Sequence, residues 1–140
     1  YRAGLQHLSV ELGIDNAVRW LGVRSDIPSL MAAADIIVLA SDWEGLGLVL
    51  MEAAMARRTV VATSVGGVPE IVKHGKTGIL VPPDNVEALA SALISLFSNH
   101  RRRSRMASTA GKYARRVFDL NVMQDATTAL YSELLDRRPA

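Results

Sequence analysis

The sequence contains no cysteine, few aromatic residues and no long uninterrupted hydrophobic run. The absence of cysteine excludes disulfide bridges, thiolate metal sites and cysteine nucleophiles. The apolar runs are cut by Asp or Glu before they reach the roughly 20 residues that cross a bilayer, so we predict no membrane span. No Asp-x-Asp triplet and no histidine cluster occurs, so no divalent metal is implied.

The remaining composition is that of a globular protein. The 140 residues are 49% hydrophobic, with a mean hydropathy of +0.17. This is enough chain for a single hydrophobic core. Because the chain begins at Tyr1 and not at a methionine, we expect it to be part of a longer protein.

Positive charge is concentrated near the end of the chain. Residues 1–100 carry seven Lys/Arg against ten Asp/Glu, whereas residues 101–140 carry nine against four. The run RRRSR at 101–105 supplies most of the excess. It indicates either a solvated helix start or contact with an anionic membrane surface. We predict no nucleic-acid binding, because no aromatic side chain stands among the arginines to stack on bases.

Strand and helix patterns alternate along the chain. Four strands are predicted, at about 17–21, 35–40, 59–63 and 77–81, with helical patterns between them and C-terminal helices across 99–140. Alternation of this kind is typical of βαβ units. The predicted fold class is therefore α/β, with a Rossmann-like parallel sheet and flanking helices.

Two glycine-containing loops follow predicted strands and lead into helices. They are residues 41–47 and residues 64–70, the second with Pro69 near the start of a short helical turn. Ligands bind at the carboxyl ends of strands in such folds, and helix N-termini favour anions. The two loops therefore predict neighbouring anion sites on one edge of the sheet.

Two carboxylates accompany the first loop. Glu44 lies in the loop, and Glu52 lies about one turn into the following helix. An acidic side chain so placed can hold vicinal hydroxyls, as in dinucleotide folds. The pattern is consistent with a ligand that combines phosphate and polyol, such as a nucleotide sugar. It is equally consistent with an exposed helix position and a loop-end charge.

A longer string resembles one enzyme family. Residues 44–53 read EGLGLVLMEA, and the retaining glycosyltransferases of family 4 carry E-G-F-G-L-x-x-x-E-A in the second domain of their two-domain GT-B architecture. The downstream run VVATSVGGVPEIVKHGKTGILVPPDNVEALASAL and the upstream run VRWLGVRSDIPSLMAAADIIVLAS also resemble this family. The similarity is dense over residues 16–98.

The resemblance implies roles for individual residues. Glu44 would approach the hydroxyls of the donor sugar and is the implied catalytic residue, while Glu52 would hold the ribose diol. No protein nucleophile, cofactor or metal is implied. The implied donor-binding set is Glu52, Gly45, Leu46, Gly47, Leu48, Gly66, Gly67, Gly22 and Arg24.

The resemblance also implies a function. Residues 1–140 would be a partial C-terminal domain that binds a nucleotide-sugar donor, and a glycan or lipid-linked acceptor would bind a preceding domain. The expected location is the cytoplasm, with peripheral contact at the inner face of the cell membrane as a further hypothesis. The alternatives are a non-catalytic nucleotide-sugar-binding module and a glycogen-synthase-type or epimerase-type GT-B enzyme. The isolated chain is expected to transfer no sugar.

Three positions depart from the family pattern, and a fourth bears on local structure. Arg57 and Thr59 stand where the family usually has Gly and Pro, and Leu46 replaces the usual Phe. The end of the helix before Arg57 is therefore expected to be less tightly closed. Asp84 is predicted to cap the helix at 86–97.

The strand order follows from the same fold. A complete half of this kind has six strands in the order 3-2-1-4-5-6. The strand at 35–40 should then pair with 59–63, and 59–63 with 77–81, all in parallel. The strand at 17–21 should stand apart or pair in a non-native way, because the two strands that would join it to 35–40 precede the chain.

Overall fold

The computed structural model describes residues 2–137, which form a three-stranded sheet between helices. A 3₁₀ turn at Asp15–Ala17 follows the first helix. The helices are α1 (Arg2–Glu11), α2 (Ile27–Ala33), α3 (Leu48–Met55), α4 (Val68–Ile71), α5 (Val86–Phe97), α6 (His100–Val117) and α7 (Leu120–Asp136); the strands are β1 (Ile36–Leu39), β2 (Thr59–Thr63) and β3 (Gly78–Val81). No helix in the described range is long and apolar enough to cross a membrane.

The sheet is parallel and ordered β1-β2-β3. Ile36 lies opposite Thr59 in the first pair, and Val60 lies opposite Gly78 in the second. The predicted pairing of these three strands is therefore confirmed. Parallel strands bring their carboxyl ends to one edge of the sheet, so the loops after β1 and β2 lie side by side.

The prediction of a strand at 17–21 is wrong, although its separation from the sheet is confirmed. The segment after the 3₁₀ turn is extended coil, and Trp20 and Leu21 are exposed. A strand needs a neighbour to satisfy its backbone N–H and C=O groups. No strand of residues 2–137 lies beside this segment, so its backbone stays outside the ladder.

Both faces of the sheet are covered by helices, which gives three layers. Alternate residues of β2 point to opposite faces, as the period of a strand requires. Val60 and Ala62 pack with Leu50 of α3 and Val68 of α4. Val61 packs on the other face, in a cluster whose further buried members are Ile79, Val81, Ala92, Leu96 and Met106. All five residues of β2 are buried, which explains the apolar run at 60–62 between its two threonines.

Helix α6 is attached to the sheet through Arg103. The Thr59 hydroxyl donates to the Arg103 carbonyl at 2.8 Å. The Arg103 guanidinium donates to the Leu96 carbonyl at 2.9 Å and to the Asp35 carboxylate at 3.0 Å. Its side chain is only 14% exposed. One arginine of the RRRSR run is therefore a structural link and not a surface charge.

The cap of α5 differs from the prediction by one residue. The Asn85 side chain accepts from the Ala88 N–H at 2.8 Å, so Asn85 is the N-cap. Asp84 instead adopts a left-handed backbone conformation, with φ of 53°. An N-cap side chain must reach the N–H of the second or third helical residue. Asn85 is in that position, and Asp84 is one residue too early.

Candidate functional site

The loop after β1 carries Glu44 and is fixed by two hydroxyl groups. The Ser41 hydroxyl donates to Oε1 of Glu44 at 3.0 Å. The Thr63 hydroxyl, at the end of β2, donates to the Ser41 carbonyl at 2.6 Å. Glu44 is half-buried. Its carboxylate is thus oriented by a contact that is itself tied to the neighbouring strand.

The second loop packs directly against the first through two glycines. A Cβ on Gly66 would lie 1.7 Å from the Glu44 carbonyl oxygen, and one on Gly67 would lie 2.3 Å from the Gly45 carbonyl oxygen. The Gly67 N–H donates to the Gly45 carbonyl at 3.0 Å. Only glycine allows so close an approach. Gly66 and Gly67 therefore hold the loop that carries Glu44, a role that the sequence did not indicate.

Helix α3 begins with backbone donors that have no partner among residues 2–137. Gly47 is its N-cap, with φ of 73°, a left-handed conformation that favours glycine. The Leu50 N–H donates to the Gly47 carbonyl at 2.9 Å. In the described part of the chain no acceptor receives the backbone N–H groups of residues 45–49. The site therefore offers several free donors together with the positive end of a helix dipole.

Glu52 lies on α3 beside an apolar cavity. It is four residues after Leu48, about 6 Å further along the helix axis, and its side chain is exposed. The cavity has a volume of about 470 Å³. Its other lining residues come from α2, α3 and the C-cap of α3: Ile27, Pro28, Met31, Met55 and Ala56. One carboxylate on an otherwise apolar wall suits a ligand with hydroxyls on one part and a flat apolar surface on another.

Gly22 and Arg24 lie in the segment that leads to this cavity. Gly22 has φ of 67°. The Arg24 guanidinium donates to both carboxylate oxygens of Asp26 at 2.6 Å, which lowers the pKa of Asp26. Asp26 precedes Ile27 of the cavity wall but makes no side-chain cap to α2, because its oxygens are engaged by Arg24. Arg24 is thus oriented by Asp26 at the start of α2.

The structure divides the predicted residues into two groups. Gly45, Leu46, Gly47 and Leu48 lie with Glu44 in the loop after β1 and the first turn of α3, whereas Glu52 lies on the side of α3 that faces α2. Leu46 and Leu48 are exposed. Sequence reasoning missed the hydroxyl of Ser41, for which its spacing of three residues from Glu44 was the available signal. Among residues 2–137 no group of three or more His, Asp or Glu side chains could hold a metal ion.

Comparison with known proteins identifies the family. The model for glycosyl transferases group 1 matches residues 1–113. The chain belongs to the group 1 glycosyltransferase family. It is 35% identical over 132 residues to the D-inositol 3-phosphate glycosyltransferase of Corynebacterium glutamicum (strain R), covering 93% of this chain and 31% of that protein. It is 33% identical over 135 residues to the alpha-D-kanosaminyltransferase of Streptomyces kanamyceticus, covering 95% and 35%. The chain thus spans about a third of the length of these group 1 relatives.

Solved glycosyltransferase structures share this fold. The Anabaena protein Alr3699/HepE in complex with UDP-glucose superimposes with a TM-score of 0.88 at 34% identity, covering 94% of this chain and 37% of that one. The glycosyltransferase of Rickettsia africae ESF-5 gives a TM-score of 0.89 at 29% identity, covering 98% and 37%. The predicted α/β class, a Rossmann-like parallel sheet with flanking helices from the C-terminal half of a GT-B glycosyltransferase, is therefore confirmed.

Proposed function

We propose that the chain is the donor-binding part of a retaining family 4 glycosyltransferase, which moves a sugar from a nucleoside-diphosphate sugar to a glycan or lipid-linked acceptor. The observation that carries this proposal is the set of free N–H groups at 45–49, with Glu44 beside them and Glu52 one turn further on. Such a helix start is suited to a diphosphate. The UDP and UDP-glucose complexes of HepE support the class of donor.

Each part of the site has a role in this reaction. The N–H groups of residues 45–48 receive the diphosphate, whose negative charge grows as its bond to the sugar breaks. Glu44, oriented by Ser41, binds the sugar hydroxyls. Glu52 binds the ribose diol, with the ribose and base lying against the apolar wall between α2 and α3. Gly22 and Arg24 border the base.

The chemistry needs no nucleophile from this chain. As the bond from the anomeric carbon to phosphate oxygen breaks, the acceptor hydroxyl attacks from the face that the diphosphate leaves, which retains the anomeric configuration. The hydroxyl proton passes to the departing phosphate oxygen. The backbone donors of residues 45–48 take the place that a metal ion has in other transferases, so we propose a metal-independent reaction without a cofactor.

The acceptor side belongs to the parent protein. Because the chain spans about a third of the relatives it matches, we assign acceptor binding to parts of the parent outside it. The proposed setting is polysaccharide or glycoconjugate synthesis in the cytoplasm, with peripheral contact at the inner face of the cell membrane.

Saturation-transfer NMR with UDP, GDP and ADP sugars tests donor binding by the 140-residue chain. We expect one nucleotide class to show transfer to its base and ribose protons. Gly47→Val should remove this signal, because Gly47 has a left-handed backbone and a Cβ there would lie 3.3 Å from Leu50 Cδ1. Gly75→Val is the matched control, since Gly75 also has a left-handed φ, of 74°, but faces open space.

Three outcomes would count against the proposal. Binding of no sugar nucleotide by the parent chain would remove the donor site. Equal binding by Gly47→Val and the parent chain would place that site elsewhere. Donor binding without sugar transfer by the full-length parent would favour a non-catalytic binding module.

A further inference from the structure

A second set of charged residues lies at the edge of the sheet opposite the candidate donor site. The loop at 73–77 leads into the first residue of β3, whereas the donor loops follow the last residues of β1 and β2. In a parallel sheet these are opposite edges. Two grooves, of about 460 and 310 Å³, lie between this loop and α6. Both are lined by Lys76 and Thr109, so they are continuous.

The grooves are lined by cations from two elements. Lys73 and Lys76 come from the loop, and the others lie on α6: Arg102, Arg105, Lys112 and Arg116. With Thr109, the α6 residues follow the spacing 3, 4, 3, 4, which places them on one face of the helix. From first to last they extend over about 21 Å. This length exceeds the size of a single phosphate group.

The positive charge of the grooves is not neutralised within the described chain. No Asp or Glu lines either groove, and the ion pairs among residues 2–137 use none of these six cations but His7, Arg24, Arg103 and Arg137. Lys73 is positioned by the Pro69 carbonyl, at 3.1 Å from Nζ, and by the Tyr113 ring, whose centroid is 5.9 Å away. Hydroxyl groups of Thr109 and Tyr113 line the same surface. Cations and hydroxyls without carboxylates are the chemistry that phosphate groups prefer.

We propose that these grooves, Lys73, Lys76, Arg102, Arg105, Lys112 and Arg116, bind the phosphate headgroups of an anionic phospholipid surface. Four of these side chains are exposed and two are half-buried, so each binds one small anion only weakly in water. A surface of many phosphates engages all six at once, and their contributions add. The site differs from the RRRSR run, because Arg103 is bound to Asp35 and Arg101 lines neither groove.

Vesicle flotation with the 140-residue chain tests this proposal. The vesicles contain phosphatidylcholine with about one third phosphatidylglycerol, compared with phosphatidylcholine alone, at low salt. The test variant is Lys76→Gln/Arg105→Gln/Lys112→Gln. Three cations lost near an anionic surface should weaken partitioning by about 100-fold. Circular dichroism checks that the variant is folded, as expected from the exposure of all three side chains.

The matched control is Arg19→Gln/Arg115→Gln/Arg137→Gln, which changes the net charge equally at exposed positions outside both grooves. It should retain vesicle binding within a few-fold of the parent chain. Equal loss in both triple variants would overturn the proposal, because net charge alone would then explain the binding. Full displacement of the chain from vesicles by millimolar inorganic phosphate, at constant ionic strength, would also overturn the proposal, because a single small anion would then be the ligand. A short RNA that binds more tightly than the vesicles would assign the grooves to nucleic acid instead.

Discussion

At the scale of single residues, the two carboxylates of the site have different surroundings. Glu44 is half-buried and accepts from Ser41, whereas Glu52 is exposed beside an apolar cavity. Glu52→Gln should weaken binding of every nucleotide, because a charged hydrogen bond contributes about 1.5–3 kcal/mol, or roughly tenfold or more in affinity. Glu44→Gln should leave binding of free UDP or GDP unchanged and reduce sugar transfer by the parent enzyme.

Isothermal titration of both variants with free UDP and GDP, and then with the matching nucleotide sugar, measures this difference. The division of roles would be contradicted by equal affinity of the two variants for the free nucleotide. Ser41→Ala is a useful companion, since it removes the donor to Glu44 without altering charge. It should reproduce part of the Glu44→Gln effect on transfer.

Arg57 has a backbone conformation that suits glycine. Its φ is 54°, and it directly follows Ala56, the C-cap of α3. A residue with a Cβ is strained in this region, by roughly 1–2 kcal/mol. Arg57→Gly should therefore raise the free energy of unfolding by about 1 kcal/mol, measured by urea denaturation. The gain is reduced by the lost packing of the arginine stem on Gly111, where a Cβ would lie 2.8 Å from Arg57 Cγ.

Arg57→Ala is the control for this prediction. It removes the arginine stem but keeps the Cβ at the same φ, so it should not stabilise the protein. An equal gain in both variants would show that the side chain and not the backbone is the source of strain. The C-terminus of α3 itself is closed by the Arg58 N–H, which donates to the Ala53 carbonyl at 2.8 Å.

At the scale of elements, the two loops of the site act as one unit because of Gly66. Gly66→Ala would bring a Cβ to 1.7 Å from the Glu44 carbonyl oxygen, so the loop at 41–47 must move. We expect both lower stability and a loss of donor binding of at least tenfold. Gly75→Ala has comparable backbone strain, with φ of 74°, but no neighbour within 4 Å. It should lower stability alone.

Thermal denaturation and nucleotide titration of the two alanine variants test this. Donor affinity in Gly66→Ala equal to that of the parent chain would show that the loops are independent. A loss of affinity in Gly75→Ala would show that general destabilisation, and not the contact between loops, controls binding.

The elements that sequence patterns predicted correctly are those whose conformation follows from their own residues. β2 is a run of buried residues, and its position and neighbours follow from that run. The segment at 17–21 is also largely apolar, but no strand lies beside it in the described range, and it forms no strand. Whether a neighbouring strand is present cannot be read from the segment's own residues. Asp84 and Asn85 are both acceptable caps by composition, and only the backbone conformation distinguishes them.

The sequence indicated some features of the candidate site and not others. The residues with charge or a special backbone, Glu44, Glu52 and Gly47, are recognisable from their spacing and from the family resemblance. The structural role of Gly66 and Gly67 was not predictable, because it depends on the distance between two loops about 20 residues apart in the chain. Nor was the apolar wall on α2, since a helix pattern does not show which face meets α3.

At the scale of the whole molecule, many apolar side chains are exposed. They lie mainly on α1, on the extended segment after it and on α7, which has no buried residue. β1 pairs with β2 on one side only among the described strands.

We expect the isolated chain to bind a donor but transfer no sugar, because the surfaces proposed for the acceptor belong to the rest of the parent protein.

Sugar transfer by the isolated chain is measured as release of nucleoside diphosphate from the donor. The assay uses a panel of sugar and sugar-phosphate acceptors. The full-length parent is the positive control under the same conditions. Acceptor-dependent release by the 140-residue chain, at more than about one hundredth of the parent's rate, would contradict the assignment of the acceptor site to the rest of the parent.

The register between β1 and β2 has a consequence for the accuracy of the site. Leu39 lies opposite Ala62, and the two loops start one or two residues later. A slip of one residue would displace one loop by about 3.3 Å and turn every side chain of that strand to the other face. Such a slip would move Val60 and Ala62 out of one core and Val61 out of the other. The packing of apolar side chains in the core therefore fixes the register, and the register fixes the distances between polar groups at the site. These core residues lie several positions away from any group that would touch a ligand.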